Sequence, residues 1–440
     1  MKKILALILA LVMVFALCAC GQAAAPAATE APAEEAPAEE VPAAGIALED
    51  LSIGIICLHD ENSPYDLNFI DAAKDAFAEM GLTEDQYMIK TGVGEDESCY
   101  DAAAELADAG CDVVFSDSYG HEPYMIQAAA EFPEVQFVSA TADRALTEGL
   151  DNFHNTFADI YMGRYLAGIA AGMKLNEMIE AGEFTAEEAK IGYVGAKPYA
   201  EVISGYTSFY LGARSVCPTA VMDVIYTGEW YDETLEKEAA NKLIQGGCKL
   251  ISEHADSMGA PTACETAGVP NVSYNLSFLN DTPNTYIIAS RINWRPYFKL
   301  MVECLTTGEA IPTDWCGTLA TDSVQTLEIN EAVAAEGTAE AIEAAKAQLI
   351  DGSLKVFDTA TFTVTAVEME DTANGNYYNN FTAITTVDEN GVLTGYLADV
   401  ENDGTFVGET EAVADGFFHE SEFRSAPYFY CIIDGITILG

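Results

Sequence analysis

Aromatic and polar side chains recur at positions that directly follow short apolar segments of this 440-residue chain. Planar rings stack on flat heterocycles, and Asp or Asn beside them can hydrogen-bond to ring nitrogens or ribose hydroxyls. We therefore predict a cleft for a planar heterocycle with polar edges. The candidate binding residues are Tyr65, Asp66, Asn68, Ser118, Tyr119, Tyr199, Glu201, Trp230, Asp232, His254, Asp256, Asn293 and Trp294.

Each of these residues also has a purely structural interpretation. Tyr and Trp at the end of a strand often cover a core, and an Asp or Ser before a helix often caps it. Asp66, Asp232 and Ser257 are all placed to act as such caps. The interpretation as a cleft rests on the recurrence of these residue types at successive strand ends in both halves of the chain.

Other chemistries have little support in the sequence. The chain contains no G-x-S-x-G, P-loop or H-E-x-x-H motif, and its five histidines show no metal-type spacing. His254 and Asp256 resemble part of a metal site only when the two are taken in isolation. We therefore expect no metal and no cofactor.

The elements that must position the candidate residues form a regular alternation of apolar and helical segments, which begins at Leu51. Strand and helix repeating at this spacing predict βαβ units, with a parallel sheet covered by helices on both faces. The pattern restarts near Asp159, which predicts two α/β lobes joined by hinge strands at 152–159 and 286–292. Ligands of open α/β sheets bind beyond the carboxyl ends of the strands, where the candidate residues lie.

The order of these patterns along the chain predicts its domain organisation. A small-residue helix at 159–173 is expected to pack tightly and to be followed by a surface excursion at 174–189. After Trp315 the regularity weakens, and a Thr-, Asp- and Gly-rich stretch indicates a β-rich decoration. The predicted boundaries are a signal peptide at 1–19, a tether at 20–48, lobe 1 at 49–157 with a return at about 290–320, lobe 2 at 158–289 with about 321–357, a β-rich insertion at 358–422 and a C-terminal strand at 423–440.

The charge of the chain excludes some partners. The sequence has 71 acidic against 19 basic residues and a formal charge of −52. Such a surface repels phosphate backbones and anionic lipid headgroups. We expect no nucleic-acid partner and no purely electrostatic contact with a membrane.

The N-terminal segment predicts export and a lipid anchor. A short basic region is followed by the apolar run 4–17, which is too short to span a bilayer. The sequence Leu17-Cys18-Ala19-Cys20-Gly21 resembles a bacterial lipobox, which makes Cys20 the lipidated first residue of the mature protein. The alternative is an ordinary secretory signal that is cleaved near Ala19. The Pro-, Ala- and Glu-rich stretch that follows suits a flexible tether on the outer face of the cell membrane.

Nine cysteines remain after Cys18 and Cys20 are set aside, and none of them forms a C-x-x-C motif. Several lie at the ends of apolar strand-like runs, where Cys usually acts as a small hydrophobic residue. We expect mostly free, buried thiols and no disulfide framework.

Several short motifs in a shared order resemble the basic membrane protein family of substrate-binding lipoproteins. They cover roughly residues 50–355. The motifs are Phe132-Pro133-Glu134-Val135-Gln136-Phe137, Gly163-Arg164-Tyr165-Leu166-Ala167-Gly168, Ile191-Gly192-Tyr193-Val194-Gly195, Trp230-Tyr231-Asp232 and Asn293-Trp294 with Pro296-Tyr297.

This resemblance implies a type I periplasmic-binding-protein fold, an ABC permease as partner and a purine base or purine nucleoside as ligand. It places ligand contacts at Tyr65 and Asp66, at Trp230 and Asp232, and at Asp256. Many nucleoside-binding members have Gly-x-Asp and a later Lys where this chain has 272–275, and this departure favours a free base or a related heterocycle.

Three functional classes follow from these observations. The first is a transport receptor whose lobes close on the ligand and then dock on a permease. In this class the protein itself catalyses no reaction. The second is a sensor subunit with the same fold and pocket. The third is a surface nucleoside hydrolase that uses Asp66, Asp232, Asp256 and His254 as acid–base groups, but the chain lacks the Asp cluster and metal site that such hydrolysis needs.

Overall fold

The computed structural model describes residues 45–367, 370–371, 376–377, 384–400 and 410–439. The predicted signal peptide, the lipidation site Cys20 and almost all of the predicted tether lie outside these residues. Within the described ranges, none of the helices has the length and apolar character needed to cross a membrane.

The first lobe is built on a sheet in which every strand is parallel to its neighbours, in the order β11-β5-β4-β3-β1-β2. Its strands are β1 (Ile53–Ile56), β2 (Tyr87–Lys90), β3 (Val113–Ser116), β4 (Gln136–Ala140), β5 (Phe153–Ala158) and β11 (Asp314–Gly317). Its helices are α1 (Pro64–Met80), α2 (Glu97–Asp108), α3 (Glu122–Glu131), the short α4 (Ala145–Glu148) and α9 (Arg295–Thr307).

Helices cover both faces of this sheet, and successive side chains of a strand point to opposite faces. Phe115 packs with Phe69 of α1 and Phe298 of α9 on one face. Val114 belongs to a separate apolar cluster with α2 and α3 on the other face. A parallel sheet that is covered on both sides requires strands with consecutive apolar residues, as in β3.

The second lobe contains a sheet in the order β12-β10-β9-β8-β6-β7-β22, in which only the β10–β12 pair is antiparallel among the described strands. Its strands are β6 (Lys190–Gly195), β7 (Val221–Tyr226), β8 (Leu250–His254), β9 (Asn271–Tyr274), β10 (Tyr286–Ile292), β12 (Val324–Thr326) and β22 (Ile436–Ile438). Its helices are α5 (Ile160–Glu180), α6 (Ala200–Val216), α7 (Glu233–Gln245), α8 (Gly259–Ala267) and α10 (Thr338–Asp351).

Helices α5 and α6 pack unusually closely, as the small-residue pattern predicts. A Cβ atom on Gly168 would lie 2.0 Å from the backbone oxygen of Phe209, and one on Gly212 would lie 2.1 Å from that of Tyr165. Only glycine permits this approach. The predicted excursion at 174–189 is wrong in its first part, because α5 continues to Glu180 and buries Leu175.

The chain crosses between the lobes three times, namely after Ala158, after Ile292 and between Gly317 and Val324. The two predicted hinge strands are in fact full members of the sheets, since β5 pairs with β4 and β11, and β10 pairs with β9 and β12. The predicted lobe boundary at 289 therefore falls inside β10. The chain returns to the first lobe after β10, within the predicted return segment at about 290–320, but helix α9 in that segment was not predicted.

Residues 358–439, which we call the C-terminal extension, contain short strands and attach to both lobes. The strands are β13 (Val364–Val367), β14 (Glu370–Asp371), β15 (Asn376–Tyr377), β16 (Thr385–Val387), β17 (Leu393–Ala398), β18 (Thr410–Glu411), β19 (Val413–Ala414), β20 (Phe417–Phe418) and β21 (Cys431–Ile433), followed by β22. The backbone N–H of Ser425 donates to Asp314 in the first lobe at 2.7 Å. Arg214 of α6 donates to Asp434 at 2.8 Å, and β22 lies parallel to β7.

The nine cysteines of the described chain are free thiols, and eight of them are buried. Most serve as small apolar residues in the cores of the lobes; Cys316 is partly exposed. Burial raises the pKa of the Cys99 thiol to about 12, and that of Cys248 to about 12, so these two groups are protonated and unreactive at neutral pH.

Candidate ligand-binding site

The carboxyl ends of strands from both sheets face each other across a narrow cleft. Seven of the predicted binding residues line the cavity at its base, together with Leu58 and Thr141, which were not predicted. The seven are Tyr65, Ser118, Tyr119, Glu201, Trp230, His254 and Asp256. The strand-end rule for open α/β sheets therefore located most of this cavity wall.

A row of aromatic rings bridges the cleft. The ring of Tyr119, from the first lobe, lies 5.6 Å from that of Tyr199, and Tyr199 lies 5.7 Å from Trp230 in an edge-to-face arrangement. His59 and Tyr231 make a second ring contact between the lobes at 5.4 Å. The rings thus occupy the space between the lobes and hold the cleft in a closed state.

The cavity beside these rings is small, with a volume of about 20 Å³. That is room for roughly one water molecule, whereas sites for small organic ligands occupy about 300–1,000 Å³. A heterocycle can therefore enter only when the lobes separate and the rings of Tyr119, Tyr199 and Trp230 move apart.

The second lobe supplies the acidic wall of the cavity. His254 Nε2 lies 3.2 Å from Glu201 Oε1, and the side-chain amide of Asn275 donates to Asp256 Oδ1 at 3.3 Å. Burial, with the nearby carboxyl of Glu236, raises the pKa of Asp256 well above its ordinary value. This shift favours the protonated carboxyl when no ligand is bound, and a ligand N–H donor would favour its ionised, accepting form.

A buried arginine supports this wall from below. The guanidinium of Arg164 is fully buried, donates to the backbone oxygen of Glu253 at 2.7 Å and lies 4.1 Å from the ring centroid of Tyr274. The Tyr274 ring in turn lies 4.7 Å from that of His254. Burial lowers the pKa of His254, and the charge of Arg164 acts in the same direction, so His254 is neutral at pH 7.

Arg164 and Tyr274 were missed as parts of the site. The available signal was an arginine inside a helix of otherwise small and apolar residues, because such a charge is almost never fully buried without partners.

Two adjacent buried carboxyls, Asp66 and Asp117, lie beneath the floor of the cavity on the side of the first lobe. Tyr65 donates its hydroxyl proton to the backbone oxygen of Asp117 at 2.6 Å, and His59 N–H donates to Asp66 Oδ1 at 2.7 Å. Burial and the neighbouring Asp66 raise the pKa of Asp117 well above normal. Burial opposes ionisation of Asp66 as well, but hydrogen bonds from His59 and Ser63 hold its pKa below normal. These opposite shifts favour a protonated Asp117 beside an ionised Asp66.

Cys57 lies against the same two carboxyls. In the described chain, Cys57, Asp66 and Asp117 are the group whose potential metal-ligating atoms all lie within 4.8 Å of one another. Backbone N–H groups of Leu58 and His59 already bind one oxygen of each carboxyl, so we assign the group to a coupled carboxyl pair and not to a metal site.

The remaining predicted residues do not line the cavity. Among them, Tyr199 is in contact with its wall, because the Tyr199 ring packs against the lining rings of Tyr119 and Trp230. Asp66 lies beneath the floor, as described above. Asp232 is the N-cap of α7 and accepts hydrogen bonds from the N–H groups of Thr234 and Leu235, both at 2.9 Å. The capping alternative predicted for Asp232 is thus confirmed, and this cap satisfies two N–H groups of the first helical turn.

Three others stabilise the crossover after β10 instead of facing the cleft. Trp294 is 1% exposed and stacks on Phe69 at 4.3 Å, so it is a core residue. The amide of Asn68 donates to the backbone oxygen of Ile292 at 2.8 Å, and that of Asn293 donates to the backbone oxygen of Asp322 at 2.9 Å. These side chains hold the crossover in place, and their amide groups are already used.

Two sheets whose strand ends meet across an aromatic and acidic cleft form the architecture of a two-lobed solute-binding protein. Residues 58–352 match the model of the Bmp family, described as ABC transporter substrate-binding protein PnrA-like. The chain belongs to this family. The prediction of a binding protein, as opposed to an enzyme, is confirmed by that membership.

Individual relatives agree with this assignment but differ in their named ligands. The chain is 33% identical over 204 residues to the Haloferax volcanii protein named "Putative ABC transporter glucose-binding protein TsgA13", covering 46% of this chain and 48% of that protein. It is 31% identical over 193 residues to a purine-binding protein of Brucella abortus, covering 44% of this chain and 51% of that protein. The chain thus spans about half the length of the curated relatives it matches.

The fold is shared with solved solute-binding proteins. An ABC transporter solute-binding protein from Conexibacter woesei superposes with a TM-score of 0.57 at 21% identity, covering 69% of this chain and 98% of that one. This likeness confirms the predicted α/β fold of the periplasmic-binding-protein type.

Proposed function

We propose that this protein captures a purine base or purine nucleoside in the cleft between its lobes and delivers it to an ABC permease. The observation that carries the proposal is the row of rings Tyr119, Tyr199 and Trp230 beside the buried carboxyl of Asp256. Rings bind the flat faces of a heterocycle, and a carboxylate accepts hydrogen bonds from its N–H edge.

Binding requires the cleft to open and close again around the ligand. Tyr119 belongs to the first lobe and Trp230 to the second, so a base inserted between them contacts both lobes and links them. A base of about ten heavy atoms at about −1 kcal/mol per atom reaches sub-micromolar affinity, within the bounds of ligand efficiency. The closed, loaded form is then the one that a permease would recognise.

One relative is named as a glucose-binding protein, so a sugar is the alternative to a purine as the ligand. A sugar also stacks on Trp and donates hydroxyl protons to carboxylates, so it would use the same wall. Two flat aromatic faces from opposite lobes favour a heterocycle, because a purine presents two flat π-faces to stacking rings.

Mass spectrometry of the ligand released from denatured recombinant protein tests the proposal directly. We expect a purine, and calorimetry with adenine, adenosine, guanosine and glucose should show binding of a purine and no heat with glucose. Release of a sugar or an amino acid, or glucose binding tighter than any purine, would overturn the assignment.

We also propose that Cys20 carries a lipid that anchors the protein at the outer face of the cell membrane. The support is the lipobox-like sequence Leu17-Cys18-Ala19-Cys20-Gly21. Cys20→Ala should release the protein into the medium of a host with a single membrane, whereas the matched control Cys18→Ala should leave it bound. Membrane retention of the Cys20→Ala protein would refute the anchor.

A further inference from the structure

A second and larger cavity lies outside the cleft, at the crossovers between the lobes. Its volume is about 340 Å³, which falls within the range of small-molecule sites. It is enclosed by Asp159 and Cys316 of the crossovers, by residues 354–357 after α10, and by residues 417–422 of the C-terminal extension. It shares no residue with the cleft cavity. We call it the crossover cavity.

One wall of the crossover cavity is aromatic. The ring of Phe357 lies 5.5 Å from that of Tyr161 and 6.0 Å from that of Phe418. The ammonium of Lys355 lies 4.4 Å from the ring centroid of Phe417. A ring of this wall thus already accepts a cation on its face, which is the usual geometry of a cation–π contact.

The rest of the wall is acidic, and its buried member lacks a hydrogen bond. Glu420 is 3% exposed, and neither of its carboxyl oxygens reaches hydrogen-bond geometry with a residue that the structure describes. The Ser204 hydroxyl and backbone groups at Tyr428 and Phe429 lie near and lower its pKa, as does the charge of Arg424, but burial outweighs them and raises that pKa to about 8.

Asp159 and Glu422 are the other carboxyls of the cavity. Burial raises the pKa of Asp159 to about 6, and Cys316 lies 3.2 Å from its Oδ1. Glu422 contacts His419, which also lines the cavity. The positive charges that face these groups are Lys355, Arg424 and His419 when it is protonated, and no cation of the described chain forms an ion pair with Glu420 or Asp159.

The arrangement suits an organic cation better than a metal ion. The carboxyls here do not converge, because the described residues bring three ligating atoms within 4.8 Å of one another only at Cys57, Asp66 and Asp117. A metal needs such convergence, since its ligands lie at about 2.0–2.6 Å. Aromatic faces and carboxylates spread over a roomy cavity are the groups that bind alkylammonium ions.

We propose that the crossover cavity binds a small organic ammonium ion, with its carbon atoms against the aromatic wall and its charge near Glu420 and Asp159. Lys355 occupies part of this wall with its own ammonium and therefore competes with the ligand. This inference is independent of what the cleft binds, because the two cavities have no residue in common.

Calorimetry on the purified full-length chain tests the proposal with methylammonium, choline and 1,4-diaminobutane as probes. The uncharged analogue 1,4-butanediol is the matched control ligand. At least one ammonium probe should bind, and the diol should bind at least tenfold more weakly. Absence of binding by all three probes, or equal binding of the diol, would overturn the proposal.

Three variants locate the binding. Glu420→Gln is nearly isosteric and should weaken the best probe at least tenfold, whereas Glu336→Gln, an exposed glutamate elsewhere, should leave it unchanged. Lys355→Gln removes an exposed competing cation and should strengthen binding a few-fold, an effect that loss of folding could not imitate. Equal affinity in the parent, Glu420→Gln and Lys355→Gln proteins would refute this location.

Discussion

Asp256→Asn provides the sharpest test of the cleft, because the change replaces a carboxyl that can ionise with a neutral amide of nearly the same size. In the structure the carboxyl is buried, accepts one hydrogen bond from Asn275 and faces the cavity. Hydrogen bonds to an ionised group contribute about 1.5–3 kcal/mol. At 1.4 kcal/mol per factor of ten, the variant should bind a purine about 10- to 100-fold more weakly.

The pH dependence of binding carries a second signature of Asp256. Its pKa in the protein without ligand is raised by burial, so the carboxyl becomes protonated well above the usual pH of about 4 for an Asp. A ligand N–H needs the ionised form, and affinity should therefore fall about tenfold per pH unit below that raised pKa. An exposed aspartate would show this loss near a pH of about 4, and the buried position of Asp256 moves it upward.

Isothermal titration calorimetry across pH 4–8 on parent and variant separates Asp256 from the ionisable side chains around it, Glu201, Glu236 and His254. Those groups remain in the variant, so only the difference between the two profiles reports Asp256. Asp232→Asn is the matched control, since Asn caps a helix about as well as Asp and position 232 lies outside the cavity. Parent-like affinity and an unchanged pH profile in Asp256→Asn would show that this carboxyl does not contact the ligand.

Three further substitutions distinguish the wall of the cleft from its supports. Trp230→Ala should weaken purine binding about 10- to 100-fold, as loss of one stacking ring costs roughly 1–3 kcal/mol, with an unchanged melting temperature; unchanged affinity in calorimetry would place Trp230 outside the ligand contact. Asp232→Ala removes the cap of α7 and should lower the free energy of unfolding in urea by about 1 kcal/mol while purine affinity stays the same, so weakened binding at full stability would contradict the cap assignment. Trp294→Ala should cost about 3–5 kcal/mol of stability through loss of a buried aromatic side chain, and a parent-like urea midpoint would show that its stack on Phe69 is not part of the core.

The position of the cleft could be predicted because all parallel strands of a sheet end on the same side. Polar residues at those ends are not needed to build the hydrophobic core, so they indicate a binding site. The same rule failed at Asn293 and Trp294, since β10 ends at a crossover and not at the cleft. The residues after it secure the passage between lobes, with Trp294 on Phe69 and Asn293 on Asp322. Strand order, which decides this, is not visible in a local pattern.

Other parts of the site had no local signal. Thr141 lines the cavity with a backbone φ of 60°, a left-handed conformation that its β-branched side chain disfavours. Tyr274 joins the site only because β9 lies beside β8 in the sheet. Likewise, the crossover cavity depends on contacts of the extension with elements distant in sequence, so composition could indicate β-structure there but not a binding site.

The pairing of β22 with β7 has a consequence for how the molecule assembles. Until β22 docks, β7 is an open sheet edge whose N–H and C=O groups can pair with another chain. All of β8 to β21 lies between these two strands in sequence, so this contact is among the most non-local in the fold. Any shortened form that ends before Ile436 would leave the edge of β7 open to pairing with another chain.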